Sequence, residues 1–223
     1  MSAEHDSTRG ASVYSSTTLA FYDFVVYGFN APLLWRVKPD HLLDWYNRHV
    51  SDTHLDIGVG TGYFLDKCHF PGPSPEICLM DLNENSLRVT AKRISRYSPQ
   101  TVSGDALQPL PFKDNRFSSV GLNFLLHCMP GDFSYKAGLF DNVARCMAPE
   151  GVIFGSTILN LQKNMNWMAK RVFSTFNRRG IFCNQADSPD ALRRELEKRF
   201  TDVHIDMKGV VALFSGRRKT NSV

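Results

Sequence analysis

The chain predicts an α/β fold: one domain in which short apolar strands alternate with amphipathic helices, as a mostly parallel sheet requires. Three observations carry that expectation. A strand runs through glycines at every second position into a helix, between His54 and Phe64. Two later strands each close on an acidic residue, Asp81 and Asp105, and helix and strand patterns then alternate without internal repeats to a last pair of strands. At 223 residues, 43% hydrophobic and 22% charged, the chain is long and apolar enough to bury a substantial core.

In chain order, Met1 to Ser12 is polar and reads as a disordered tail. An aromatic face follows in residues 14–28 (Tyr14, Phe21, Tyr22, Phe24, Val25), and Pro39-Asp40 opens a helix with Leu42, Tyr46 and His49 at helical spacing. These are helices ahead of the sheet. The first strand and its glycines lead into a helix from about Thr61. A proline-rich turn (Pro71 to Pro75) precedes the strand Ile77–Asp81, and Asn83 is placed to cap a helix whose buried stripe is Leu87, Ala91 and Ile94. A third short strand begins at Thr101 and has Asp105 at its exit; a fourth spans Phe117–Asn123 after the turn-rich 112–116. The next helix (Leu139, Val143, Cys146) is expected to end in the turn Ala148-Pro149-Glu150-Gly151, which launches a fifth strand at Val152–Leu159. Residues 160–187, rich in Met, Trp, Phe and Asn, interrupt the alternation. Ser188-Pro189 starts the last helix, and Val203–Met207 and Val210–Phe214 are two strands joined tightly through Lys208-Gly209.

The glycine loop carries the chemistry. Gly58, Gly60 and Gly62 allow positive φ and close approach of a ligand to the main chain, and the N–H groups that open the following helix favour an anionic group. A dinucleotide fingerprint spaces its glycines as G-x-G-x-x-G. Here the position after Gly62 is the bulky Tyr63, and Asp56 would set a carboxylate beside a pyrophosphate. Both count against NAD. An amino-acid moiety suits the loop better, with its carboxylate at the helix start and its ammonium near Asp56. Asp81, about twenty residues on, can accept hydrogen bonds from ribose hydroxyls. Singly, Asp81 or Asp105 could as well cap a turn, and the loop could be a glycine turn without ligand; their order and separation favour one site.

Asp56-x-Gly58-x-Gly60-x-Gly62 after a strand, with the acids that follow, closely resembles the first motifs of class I S-adenosylmethionine-dependent methyltransferases, and the likeness runs from about Tyr14 to Phe214. The resemblance implies a Rossmann-like three-layer α/β/α sandwich whose seven-stranded, mostly parallel sheet ends in an antiparallel hairpin. It implies that S-adenosyl-L-methionine is bound by Asp56, Gly58, Gly60, Gly62, Asp81, Leu82, Asp105, Ala106, Asn123 and Tyr22, with Asp105 at the adenine edge. Phe21-Tyr22-Asp23 through Trp35 further resembles the N-terminal region of small-molecule methyltransferases acting on quinone precursors. On that likeness residues 13–50 form lid helices, 160–187 an acceptor-side insertion, and the single domain spans 13–216 with a basic tail at 217–223. Tyr14, Tyr22 or Tyr27 would then reach the cofactor or acceptor, or else pack in the lid.

An oxygen or acidic-carbon acceptor needs a base. His127, just after the fourth strand, is the candidate catalytic residue, the alternative being a histidine that packs beside the site. Cys128 reads as a small apolar residue. The acceptor is expected to be a small, partly apolar molecule: there is no Asn-Pro-Pro-Tyr motif after the fourth strand and no paired glutamates there. A catalytically silent cofactor-binding subunit, a nucleic-acid or protein methyltransferase and an NAD-linked oxidoreductase are the alternatives. A net charge of +4 with interspersed signs predicts no nucleic-acid partner. Asp132 and Asp141 do not make a metal site. Five cysteines without metal spacing fit a reducing cytoplasm, no segment predicts a membrane span, and the oligomeric state is left open.

Overall fold

A computed structural model describes residues 31–219. Tyr14, Tyr22, Tyr27 and the first part of the expected lid lie outside the described residues. After a helical turn at Ala31–Leu33 come α1 (Pro39–His49), β1 (Thr53–Ile57), α2 (Tyr63–Lys67), β2 (Glu76–Asp81), α3 (Glu84–Arg93), β3 (Gln100–Ser103), β4 (Phe117–Asn123), α4 (Phe133–Cys146), β5 (Met147–Ile158), α5 (Trp167–Arg178), α6 (Pro189–Glu197), β6 (Phe200–Lys208) and β7 (Val211–Arg218). The sheet has the order β3-β2-β1-β4-β5-β7-β6. β1 to β5 are parallel, while β7 pairs antiparallel with both β5 and β6. This is the seven-stranded α/β sandwich the sequence predicts.

Alternation along the strands builds the three layers. On β2, Cys78 and Met80 join the apolar layer under α4 and α6, which includes Phe133, Leu139, Phe140, Leu192 and Leu196. Ile77 and Leu79 point the other way, into the layer of α1, α2, α3 and α5 with Leu42, Phe64, Leu87 and Phe173. A two-residue period on a doubly covered strand requires this division. The helices start where their caps allow: Asn83, Asp132, Asn166 and Ser188 each accept a backbone N–H from the first turn of α3, α4, α5 and α6.

Several boundaries differ from the sequence expectation, each for a local reason. α2 begins at Tyr63, because Gly62 sits in the left-handed region at φ +72 and acts as its N-cap. α4 ends at Cys146 and β5 starts at once. Met147 pairs with Phe117 and Val152 with Ser119, so the Pro149-Glu150-Gly151 turn is a bulge inside the strand, with Glu150 at φ +60. β7 extends to Arg218, whose guanidinium reaches Asn115 and the Met147 carbonyl; the basic tail therefore does not begin at Arg217. α1 is built into the sandwich rather than lying over it: Leu42 and Tyr46 are fully buried, and Trp45 Nε1 donates to the Phe214 carbonyl at 3.2 Å.

Strand order positions the site. β1, β2 and β3 step outward in one direction, and the chain then returns to place β4 on the other side of β1. At such a switch point the loops leaving the carboxyl ends of the strands diverge and leave a crevice. Asp56, Asp81 and Asn123 all lie at those ends.

Candidate active site

Two adjoining hollows open at the switch point and share Gly58, Gly60 and Phe124 as common walls. The larger encloses about 800 Å³ of space open to solvent and is lined by Asp81, Leu82, Asp105 and Ala106 on one side and Phe124, Leu125, Cys128 and Met129 on the other. The smaller, about 470 Å³, is lined by Asp56, Gly62, Tyr63 and Asn123 among others. Every residue of the expected cofactor set that is described therefore falls on one of these walls. Tyr22 lies outside the described residues.

The glycine loop is held from two sides. Gly58 N–H donates to the Met80 carbonyl at 2.8 Å, and Thr90 Oγ1 on α3 donates to the Gly60 carbonyl at 3.2 Å. All three loop glycines have positive φ. A Cβ at Gly62 would meet the Thr90 methyl at 2.7 Å, whereas one at Gly60 would meet nothing within 4 Å. Gly62 is thus required by packing against α3, and Gly60 by its backbone conformation and the open space in front of it.

Asp81 accepts the Asn83 N–H at 2.8 Å and also faces the Val59 and Gly60 N–H groups. Burial nevertheless pushes its carboxyl up to about 6, with the Asp56 charge adding to the rise. Asp105 caps its own turn, accepting the Leu107 N–H at 2.9 Å. Asp56 is 5% exposed, and its Oδ2 accepts a hydrogen bond from the Tyr46 hydroxyl at 2.8 Å. Burial first, and the Asp56 charge next, raise Tyr46 well above the usual phenol range, so it stays a donor. Beside Asp56, Asn123 Oδ1 accepts from Ser156 Oγ at 3.2 Å, while its Nδ2 is buried without a partner.

This donor set fits an amino-acid nucleoside. Asp81 and Asp105 can accept from ribose and an adenine amine, Asp56 can accept an ammonium, and the unpartnered Asn123 amide can donate to a carboxylate. A diphosphate in the same crevice would face three carboxylates.

His127 is not on either wall. It sits in a short 3-10 turn, Leu126–Cys128, and is 3% exposed. Its ring packs edge-on to Phe182 at 4.7 Å and Phe124 at 5.9 Å; Nδ1 lies 3.5 Å from the Ile158 N–H. Burial, and then the Lys136 charge, push the imidazole down to about 3. The sequence expectation is an acceptor-facing base; in the structure the buried His127 ring lines neither hollow, while its neighbour Cys128 does. Cys128 does line the cavity, and burial raises its thiol to about 12, so it is not a thiolate. The wall residues Phe124, Leu125 and Met129 were not legible as site residues. Phe124, a non-glycine at φ +53 where β4 ends, lines both hollows.

Residues 160–187 contain α5 and fold back against this wall. The Cys183 N–H donates to the His127 carbonyl at 2.8 Å, and Lys136 Nζ pairs with Asp187 at 2.7 Å and the Cys183 carbonyl at 2.9 Å, both side chains fully buried. No group of three or more potential metal ligands occurs among the described residues, and no helix there is long and apolar enough to cross a membrane.

Residues 55–155 match the protein family described as methyltransferase domain. Demethylluteothin O-methyltransferase of Streptomyces thioluteus is 37% identical over 205 residues, covering 92% of this chain and 89% of the relative. Methyltransferase ctvB of Aspergillus terreus is 31% identical over 222 residues, with 96% of each chain covered. Among solved structures, the fold is similar to phosphoethanolamine N-methyltransferase 2 of Haemonchus contortus in complex with S-adenosyl-L-methionine, with a TM-score of 0.65, 16% identity, and 92% of this chain and 46% of that one covered. With the glycine loop, the strand-end acids and full-length relatives in agreement, the chain belongs to the class I S-adenosylmethionine-dependent methyltransferases of the small-molecule type.

Proposed function

We propose that this enzyme methylates an oxygen of a small, largely apolar acceptor. The observation that carries the reading is the wall opposite the cofactor acids, formed by Phe124, Leu125, Cys128 and Met129. It offers ring and aliphatic surface and no ionised group, which suits an acceptor with an apolar body and one reactive hydroxyl. The relative from Streptomyces, named as an O-methyltransferase and aligned over nearly the whole chain, supports oxygen as the target. Five free thiols, Cys68, Cys78, Cys128, Cys146 and Cys183, fit a reducing cytoplasm as the place of action.

S-adenosyl-L-methionine, when bound, supplies an electrophilic methyl group on a sulfonium and leaves as the neutral thioether of S-adenosyl-L-homocysteine. The protein has to orient and to exclude water. In this reading Asp81 and Asp105 hold the nucleoside, Asp56 and Asn123 hold the two charges of the amino-acid end, and Phe124 sits between the two halves. Positioning of this kind is worth roughly 7–11 kcal/mol in favourable cases. A panel of phenols and enols incubated with the enzyme and S-adenosyl-L-methionine tests the proposal. O-methyl ethers identified by mass spectrometry support it, and methylation on carbon or nitrogen alone contradicts it.

The Asp81 carboxyl must be ionised to accept both ribose hydroxyls, yet in the free protein it is raised to about 6. Binding therefore has to expel a proton once the pH falls below that value. Cofactor affinity is expected to be flat above about pH 7 and to weaken by up to about tenfold per unit below about pH 6. Calorimetric titrations across this range check it; an affinity unchanged down to pH 5 would contradict it.

We infer that His127 supports the acceptor-side wall instead of taking a proton, since an imidazole near 3 is a feeble base. His127→Gln is expected to keep kcat within about tenfold and leave the pH–rate profile in place, whereas loss of a true general base costs about 10²–10⁴. A loss of that size, with the acidic limb of the profile removed, would assign the proton transfer to His127.

A further inference from the structure

Behind Asp56 runs a buried chain of polar side chains that cofactor binding alone does not call for. Ser119 Oγ accepts from the Ser51 N–H at 2.9 Å and from the Ser51 hydroxyl at 2.8 Å. His54 Nδ1 lies 2.8 Å from Ser119 Oγ, and His54 Nε2 lies 2.9 Å from the Tyr46 hydroxyl and 3.4 Å from Asp56 Oδ2. The Tyr46 hydroxyl donates to the same Oδ2 at 2.8 Å. His54 and Ser119 are fully buried, as is Tyr46.

Counting donors and acceptors orders the chain. The Ser51 hydroxyl has one proton and lies nearer Ser119 Oγ, at 2.8 Å, than the Thr53 carbonyl, at 3.3 Å; given to Ser119, it leaves Ser119 Oγ accepting twice, with its own single proton for His54 Nδ1. That leaves the imidazole proton on Nε2, directed at Tyr46 and Asp56, and the tyrosine proton directed at Asp56. Each link donates toward the carboxylate, and Oδ2 collects them. The path has been given room: Asp56 pairs with Gly121 on β4, where a Cβ would stand 3.0 Å from Oδ2 and 3.2 Å from the imidazole Cε1. The Tyr46 ring is also fixed, stacked on Phe64 at 5.4 Å and edge-on to Phe154 at 5.1 Å.

We propose that Tyr46 and His54 are positioning residues that fix the Asp56 carboxylate to receive the ammonium group of the cofactor's amino-acid end. The proposal rests on the cofactor reading of the site. With Oδ2 held from behind, the carboxylate cannot rotate away, and its other oxygen is the one left for a ligand in the smaller hollow. Affinity for the amino-acid end then depends on a tyrosine and a histidine that the cofactor never touches.

The test uses two probes, S-adenosyl-L-methionine and 5′-methylthioadenosine, which keeps the nucleoside and thioether but lacks the amino-acid end. Tyr46→Phe is expected to weaken S-adenosyl-L-methionine binding by about tenfold or more in calorimetry, the size of a lost hydrogen bond to a charged group. Its affinity for 5′-methylthioadenosine should stay at the wild-type value. Equal losses for both probes, or no loss for either, would overturn the proposal. If Tyr46→Phe does not fold, His54 carries the test. His54→Leu should selectively weaken S-adenosyl-L-methionine, and His54→Gln, which restores an N–H donor, should recover most of the loss. A His54→Leu protein that binds both probes like wild type would also overturn it. Failure of the wild-type protein to bind S-adenosyl-L-methionine at all would instead remove the underlying site assignment.

Discussion

Gly60→Arg is expected to abolish S-adenosyl-L-methionine binding while leaving a folded protein. Gly60 lines both hollows, and a side chain there would leave the backbone into space with no atom within 4 Å of its Cβ. The fold therefore loses little beyond the cost of a non-glycine at φ +53, about 1–2 kcal/mol. The ligand, by contrast, loses the place where it must approach the main chain, and we expect affinity to fall by about a hundredfold or more, equivalent to at least roughly 2.7 kcal/mol. Gly62→Val is the informative contrast. Its Cβ would stand 2.7 Å from the Thr90 methyl at a backbone φ of +72, so the damage should fall on stability first. Calorimetry and thermal melts on both variants separate the two effects. A Gly60→Arg protein that binds the cofactor as the wild type does would mean that the ligand lies elsewhere.

The second large effect concerns stability and the acceptor side. Lys136→Met removes the cation that neutralises Asp187 where both side chains are fully buried. Burial already raises the Asp187 carboxyl to about 6 and lowers Lys136, and Asp187 Oδ1 has no hydrogen-bond partner. Deleting one member of such a pair leaves an uncompensated charge and costs about 3–5 kcal/mol. For a chain of this size that is a fall in Tm of roughly 6–20 °C. Lys136 also holds the Cys183 carbonyl, and the Asp187 main-chain carbonyl accepts the Asn160 N–H, so the segment over His127 should loosen as the Asp187 position shifts. Replacing both residues, Lys136→Met with Asp187→Leu, should recover much of the loss. If Lys136→Met melts with the wild type, the pair does not fasten this segment.

The sandwich and the residues that line the candidate crevice are legible in the sequence because both are written locally. A strand that stops at Asp81 with Asn83 as the next cap, or glycines at 58, 60 and 62, can be read from a few neighbouring residues. Parallel strand ends then bring them together by topology alone. What was not legible depends on contacts between distant segments. His127 reads as a base because it follows β4; that Phe182 packs on its ring and the Cys183 N–H bonds its carbonyl, from more than fifty positions on, is not written near it. Tyr46 reads as an apolar helix position and His54 as a strand residue; His54 shares one face of β1 with Asp56, and only the packing of α1 on the sheet brings the Tyr46 hydroxyl to both. The Pro149-Glu150-Gly151 turn looked like a break, and became a bulge because Met147 found a partner in Phe117 across the sheet.

One amino-acid nucleoside is expected to span both hollows at the carboxyl ends of β1, β2 and β4. A crystal structure of the protein grown with S-adenosyl-L-homocysteine tests it most directly. The ribose is expected at Asp81, the adenine edge at Asp105 and the amino group at Asp56. Density for the ligand outside these hollows, or hollows left empty at saturating ligand, would contradict it.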